Sequence, residues 1–356
     1  MSADFWKGKR VLVTGHTGFK GSWLSLWLKK LGAEVGGFSL PPDTKPSLFV
    51  DLDLEGRITS QYGDVRELKA VEGALIEFQP EIVLHLAAQS LVRRSYRDPL
   101  ESYATNVMGT ANILDSIRRV PSVRAAVIVT TDKVYENAEA GTAFSEGQSL
   151  GGYDPYSSSK ACAEIVASSY RRSFLNDQGV SIATARAGNV IGGGDWAEDR
   201  LFPDIFRNLI FGEELVIRNP DSIRPWQHVL DPLAGYILLA ERLATSGDPF
   251  AEAWNFGPDE NDTRTVRDAI AELGMVWDNN VDWQLTGDRQ PHEAATLTLD
   301  SSKARLKLGW DPKLNFADAV RFTAEWYREY KAGRPATDLC LQQIEAYQEK
   351  DVAAAA

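Results

Sequence analysis

Cysteine is scarce in this chain: Cys162 and Cys340 are the only two among 356 residues. Two distant thiols offer neither a disulfide framework nor a metal cluster, and they suit a reducing compartment. His16, His85, His228 and His292 are the only histidines, too scattered to suggest a zinc site, so no metal is expected. No run of about 18 apolar residues exists to span a membrane. The first nine residues include Asp4 and lack an apolar core, so no signal peptide is expected. Together these absences lead us to expect a cytoplasmic protein. Basic residues are outnumbered as well, 38 Lys and Arg against 50 Asp and Glu, for a formal net charge of -12. That balance argues against nucleic acid as a main partner, although a local basic pocket can still hold phosphate. Internal repeats and low-complexity linkers are missing too. The closing run Ala353–Ala356 reads as a frayed tail, with 351–356 outside the domains.

What is present begins with a strand, a glycine turn and a helix. Arg10-Val11-Leu12-Val13-Thr14 is a short apolar run suited to a buried parallel strand. Gly15-His16-Thr17-Gly18-Phe19-Lys20-Gly21 follows at once, and an apolar stripe at helical spacing runs from Ser22 to Leu31. In that context the glycines let backbone approach a pyrophosphate, and the helix N-terminus favours its charge. The spacing is GxxGxxG, not GxGxxG. A second strand, 34–39, ends at Ser39, where an acidic residue would bind adenosine ribose hydroxyls. Its absence leaves NAD and NADP both open, and Lys20 is a candidate to meet a 2′-phosphate. A third strand is expected to end near Tyr62-Gly63-Asp64-Val65, with Asp64 facing the adenine.

Further strands are expected over 81–86, 125–130 and 180–187, with helices over 99–119 and 155–174. Such alternation implies a Rossmann-like, doubly wound parallel sheet, with a smaller C-terminal α/β domain. Thr131-Asp132-Lys133 lies just beyond the carboxyl end of the fifth strand, the edge at which open α/β sheets bind ligands. Tyr156 precedes Lys160 by four residues on a helix, which puts both on one face. An ammonium there favours the phenolate, so Lys160 is expected to lower the tyrosine pKa and let it act as a base. After Asn189 the alternation breaks into the glycine-rich loop 190–196 and an amphipathic helix over 200–211. Helices are also expected over 229–243, 266–273, 301–308 and 316–331. Arg218, Arg224 and Arg289 could converge on a diphosphate, where the guanidinium fork suits phosphate oxygens.

Taken as a set and in order, TGxxGFxG, GD, LAAQ, TTDK, YxxxK and RxGNV resemble the extended short-chain dehydrogenase/reductase family. TTDKVY at 130–135 is similar to the signature of its sugar-nucleotide 4,6-dehydratases, in which an acid follows Thr or Ser. Several stretches resemble the CDP-glucose-using branch: WKGKRVLVTGHTGFKGSWLSLWL, GFSLPP at 37–42, AQSLVR at 88–93, GGGDW at 192–196 and RPWQHVL at 224–230. That branch also lacks the acid at the Ser39 position, which makes NAD the first choice.

The resemblance implies redox-neutral conversion of CDP-glucose to CDP-4-keto-6-deoxyglucose, with a place in deoxysugar synthesis for surface polysaccharide. Tyr156 is then the base at the 4-hydroxyl, Lys160 holds the nicotinamide ribose, and Thr131 binds the C4 oxygen. Asp132 protonates the departing C6 hydroxyl, a role that calls for a raised pKa in a dry pocket. Lys133 stands where many dehydratases carry Glu, and it either removes the C5 proton or steadies the enolate. The implied cofactor shell is Gly15, Thr17, Gly18, Phe19, Lys20, Ser39, Asp64, Val65, Leu86, Ala87, Ala88, Gln89, Asn106, Thr130, Tyr156, Lys160 and Ala187. The implied substrate shell is Ser90, Arg93, Thr131, Asn189, Arg218, Arg224, Asn255, Arg289 and His292. Residues 1–188 would bind NAD, with 225–256 returning to that domain, while 189–224 and 257–350 would hold the sugar nucleotide. A homodimer, or a tetramer, is implied through helices 99–119 and 155–174. A reductase or epimerase of the same fold and a non-catalytic dinucleotide-binding regulator are the alternatives. Asp132 speaks against the first pair, and retention of Tyr156 with Lys160 against the second.

Overall fold

Short apolar runs buried on both faces can only be satisfied inside a layered sheet, and here they form the centre of a seven-stranded one whose edge strand, Thr59–Tyr62, stays part-exposed. The structure is a computed structural model that describes residues 2–138, 141–259, 262–277, 281–286 and 297–354. The strands are β1 (Arg10–Thr14), β2 (Glu34–Ser39), β3 (Thr59–Tyr62), β4 (Ile82–His85), β5 (Ala125–Val129), β6 (Ser181–Arg186) and β7 (Ala253–Asn255). All pair in parallel, in the order β7-β6-β5-β4-β1-β2-β3. Strand order reverses at β1, which lies between β2 and β4, with Thr14 opposite both Phe38 and His85. A crevice opens outside the carboxyl ends at such a switch point.

Helices cover both faces. On one side α1 (Phe19–Lys30) contributes Trp23, Leu24 and Trp27 to a large core. On the other, α2 (Leu68–Phe78) and α3, a continuous helix made of Pro99–Tyr103, Ala104–Met108 and Gly109–Ile117, bury Val71, Leu75, Ile113 and Leu114. Each such side chain contributes about 1.5–3 kcal/mol by leaving water. The middle stretch of α3 is a π turn, which an even 3.6-residue pattern cannot announce. It falls on Asn106, as π turns often fall on functional residues. The YxxxK helix, α4, is α-helical over Pro155–Tyr170 and then widens into a π turn, Arg171–Leu175.

Beyond β6 the chain builds short pairs: Val190–Ile191 with Gln227–His228, Ile223–Arg224 with Arg264–Thr265, and Val216–Ile217 with Gln284–Leu285. Among them sit α5 (Leu201–Phe211), α6 (Leu230–Ser246), α7 (Val266–Trp277) and α8 (Phe316–Lys331). Helix α6 packs on β5 and β6, and β7 extends the main sheet. A last helix, α9 (Ala336–Ala354), was not foreseen and continues through the first residues of the expected tail. Its stripe Leu339, Cys340, Ile344 and Tyr347 is buried, and the Tyr347 hydroxyl donates to Asp231 Oδ1 at 2.8 Å. Trp6, Trp23, Trp27, Trp254 and Trp326 are fully buried, so half of the ten tryptophans are packing residues.

Candidate active site

Gly15 turns the chain out of β1 at φ +73°, and a Cβ there would lie 2.7 Å from the Ala87 nitrogen. Backbone of the turn thus runs directly against the chain leaving β4. Gly18 precedes α1 without any side-chain cap, so its first N–H groups are left to face the crevice. Thr17 Oγ1 donates to the Leu40 carbonyl at 2.9 Å and lies 2.9 Å from the Ser39 hydroxyl. These groups fit a dinucleotide: uncapped amides suit its diphosphate, and two hydroxyls stand where an acid would otherwise meet ribose. The Asp64 carboxylate is chelated by Arg66, two residues on, at 2.8 and 2.5 Å, and that guanidinium holds its pKa below the ordinary range. Val65 beside it is buried under Gly109.

At the end of β4, His85 locks the crevice wall. The Thr110 hydroxyl donates to the Asn106 carbonyl at 2.7 Å, so it accepts from His85 Nε2 at 3.2 Å. Nδ1 is then the acceptor from the Thr14 hydroxyl at 2.7 Å, and burial pushes the imidazole pKa down to about 3. Thr14 in turn accepts the Leu86 and Ala87 N–H groups, both at 3.2 Å. Asn106 clamps the next residues: its Oδ1 accepts from Gln89 N at 2.9 Å, and its Nδ2 donates to Gln89 O and Ser159 Oγ. Ala88, between them, is part-exposed. Asn106 therefore ties the Leu86–Gln89 backbone to α4.

Past β5 the chain makes a single tight turn over Asp132–Val134, capped by the Thr131 hydroxyl. Thr131 Oγ1 donates to Asp132 Oδ1 at 2.9 Å, and Asp132 is only 2% exposed. Its carboxylate occupies the space beside Gly188: a Cβ on Gly188 would fall 1.8 Å from Asp132 Oδ2. Tyr156 faces this turn and is hydrogen-bonded to Thr131. Burial, the largest influence, raises its pKa to about 12. Lys160, one turn further along the helix, donates from Nζ to the Val129 carbonyl at 2.9 Å. Burial, and then the charge of Lys20, lower Lys160 to about 8.

Lys20 is also lowered to about 8, by burial and then by Arg200, with Asp132 and Asp195 opposing. Its charged neighbours are thus Arg200, Asp132 and Asp195, in a cavity of ≈ 270 Å³ that it lines with Thr131, Asp132, Lys133, Tyr156 and Ala187. That is not the Ser39 end of the crevice, where a 2′-phosphate would sit. Arg200 was missed by sequence reasoning, which placed it at the start of a helix. It precedes α5, pairs with Asp195 at 3.1 Å, donates to Ser90 Oγ at 3.1 Å and acts on Tyr156. Its nearest sequence signal was the charged stretch following GGGDW.

The same cavity gathers Ser90, Arg93, Asn189, Arg218 and Arg224. Arg93 and Arg218 share Asp199 Oδ1, at 3.1 and 3.3 Å. Asn189 adopts φ +47° at the bend leaving β6. Asn255 does not join them. It is fully buried, accepts from the Tyr135 hydroxyl at 2.7 Å and donates to the Phe144 and Asp300 carbonyls. A strand end beside the sheet's carboxyl edge looked like a ligand position, but buried loop carbonyls claim this side chain. Arg289 and His292 lie outside the described residues. No group of His, Cys, Asp and Glu able to hold a metal occurs among the described residues.

A glycine turn at the switch point and a Tyr–Lys helix facing it define a short-chain dehydrogenase/reductase with a Rossmann-like sheet. The family model described as GDP-mannose 4,6 dehydratase matches residues 12–323, and the chain belongs to that family. A CDP-glucose 4,6-dehydratase of Salmonella typhimurium is 48% identical over 349 residues, 97% of each chain. A dTDP-glucose 4,6-dehydratase of Streptomyces antibioticus is 31% identical, covering 90% of this chain and 93% of that one. Among solved structures, a dTDP-glucose 4,6-dehydratase of Streptomyces venezuelae with NAD bound superposes with a TM-score of 0.78 at 26% identity, over 92% of this chain and 99% of that one.

Proposed function

We propose that the protein is an NAD-dependent hydro-lyase that converts CDP-glucose to CDP-4-dehydro-6-deoxyglucose. The observation that carries the reading is the buried Thr131–Asp132 pair set against Tyr156 in one cavity. A plain reductase or epimerase needs a tyrosine but no acid for a leaving hydroxyl. Nucleotide choice rests on the relative that is 48% identical and named for CDP-glucose. NAD is supported by the solved relative that carries it and by the uncapped N-terminus of α1.

When bound, the nicotinamide supplies the two-electron exchange, taking a hydride from C4 and returning it to C6. The chain supplies the proton transfers. Tyr156 takes the proton of the 4-hydroxyl as the carbonyl forms, while Thr131 steadies that oxygen. The resulting ketone acidifies the C5 hydrogen, and Lys133 assists its removal and the return of a proton to C5 once C6 has received its hydride. Asp132 delivers a proton to the C6 oxygen, which leaves as water. Arg93, Arg218 and Arg224 hold the diphosphate from the outer half of the cavity. The protein works as a homodimer through α3 and α4, where Leu100, Met108 and Ile165 are 79%, 56% and 57% exposed.

Incubating the purified protein with CDP-glucose and NAD, then weighing the nucleotide sugar, tests the reading. Loss of one water without net reduced cofactor is expected. An unchanged mass, with loss of water from dTDP-, GDP- or UDP-glucose instead, would remove CDP-glucose as substrate.

A further inference from the structure

The catalytic turn is tied down on both sides by one buried ion pair. Helix α4 carries Tyr156, Lys160 and Glu164 at four-residue intervals, so all three lie along one stripe. Lys160 holds the Val129 carbonyl at 2.9 Å. One residue on, the Thr130 hydroxyl donates to Glu164 Oε1 at 2.5 Å. Glu164 and Arg186, each 3% exposed at the side chain, form a forked pair at 2.9 and 2.8 Å. The remaining arm of Arg186 donates to the Tyr135 hydroxyl at 2.7 Å, just past the turn. Thr130 and Tyr135 flank Thr131–Val134, and both are referred to the same pair.

Stability alone is a poor account of this arrangement. Burying two charges costs solvation that well-packed apolar residues would not, and Arg186 is spent on a tyrosine beside the catalytic turn. We propose that Glu164 and Arg186 are positioning residues. They fix the Asp132–Lys133 turn relative to Tyr156, so elimination depends on them more than the first oxidation does. The inference rests on the reading that Asp132 and Lys133 carry the elimination.

Two variants test it. Glu164→Leu with Arg186→Met removes both charges together and leaves neither uncompensated. Tyr135→Phe keeps the ring that stacks on Phe144 at 4.9 Å and lies under the Arg186 guanidinium, and deletes only the hydroxyl. Single-turnover reactions with CDP-glucose would follow nicotinamide reduction and loss of water separately. Elimination is expected to fall on the order of 100-fold in the double variant, as for misplacement of a reacting group by about 1 Å, and about tenfold in Tyr135→Phe. KM should barely move, reduced cofactor should accumulate, and exchange of the C5 hydrogen with deuterated water should slow. Equal loss of both steps without accumulation, or wild-type elimination in both variants, would overturn the proposal. Failure of the wild-type protein to release water would instead sink the functional reading beneath it.

Discussion

Gly188→Ala should uncouple the two halves of the reaction. The added methyl would lie 1.8 Å from Asp132 Oδ2, 2.0 Å from Cγ and 2.4 Å from Oδ1. Ordinary contact requires about 3.4 Å, so the carboxylate must retreat by roughly 1.5 Å and lose the 2.9 Å bond from Thr131. A reacting group misplaced by about 1 Å costs on the order of 100-fold in rate, and in the proposed mechanism Asp132 serves only the departure of the C6 hydroxyl. Stability should change little: overpacking costs about 1–3 kcal/mol, partly offset by about 0.4–1 kcal/mol from a less flexible unfolded chain. Rapid-quench assays with CDP-glucose should therefore show nearly normal nicotinamide reduction and elimination slowed about 100-fold. The same substitution made on an Asp132→Ala background should add almost no further loss, because the displaced group is already gone. A Gly188→Ala enzyme that releases water at the wild-type rate would refute the placement of Asp132 as the acid.

Other substitutions probe separate parts of the molecule. Tyr156→Phe should abolish nicotinamide reduction while calorimetric affinity for the sugar nucleotide stays nearly unchanged; residual reduction near the wild-type rate would remove the tyrosine from the mechanism. Gly15→Ala should weaken NAD binding and destabilise the fold by about 1–3 kcal/mol, because φ is +73° and the methyl would press on the Ala87 nitrogen; unchanged affinity in a fluorescence titration would contradict the close approach. Asp231 is fully buried with Oδ2 unpaired, and burial raises its pKa from 3.8 to about 7. A raised carboxyl favours the folded state below its unfolded pKa and loses that contribution as pH climbs from about 4 through 7. Asp231→Asn should thus gain stability relative to wild type between pH 5 and 8 in urea melts, and a gap that stays constant with pH would refute this.

Much of the fold could be read from periodicity because its strands are buried on both faces. The runs at 11–13, 82–84 and 125–129 are apolar throughout, and the helix over Phe316–Lys331 lies where its spacing put it. Failures came where local geometry departs from an ideal period or where long-range partners decide. The π turn at Ala104–Met108 leaves no compositional trace. Helix α9 mixes polar and apolar residues without a sharp division between its faces, and the partner of its Tyr347 hydroxyl, Asp231, lies more than 100 residues earlier. Thr131, Asp132, Tyr156 and Lys160 come together as the motif order implies. Arg200 and Gly188 were not singled out, since an arginine at a helix start and a glycine at a strand end are common. Their meaning appears only once Asp195, Ser90 and Asp132 are placed beside them. Asn255 errs the other way, as the right residue type captured by Tyr135.

The charges of the cavity divide along the same line as the chemistry. Tyr156 and Lys160 stand on α4, which Lys160 and Glu164 tie to the end of β5 through the Val129 carbonyl and the Thr130 hydroxyl. Two of the three arginines proposed for the diphosphate, Arg93 and Arg218, are anchored to Asp199, and Arg200 beside them pairs with Asp195. On the proposed reading a diphosphate would compete with those carboxylates for the same guanidinium hydrogens, so each such contact would be gained by exchange of one anion for another. Exchange keeps the arginines ordered before substrate arrives, which reduces the entropy lost on binding. It also sets a threshold, because a ligand with a single weak anionic charge gains little over the aspartate it displaces. On that reading, selectivity for a nucleoside diphosphate over a free sugar phosphate would follow from the ion pairs themselves, while the anchored turn would decide what happens to the sugar.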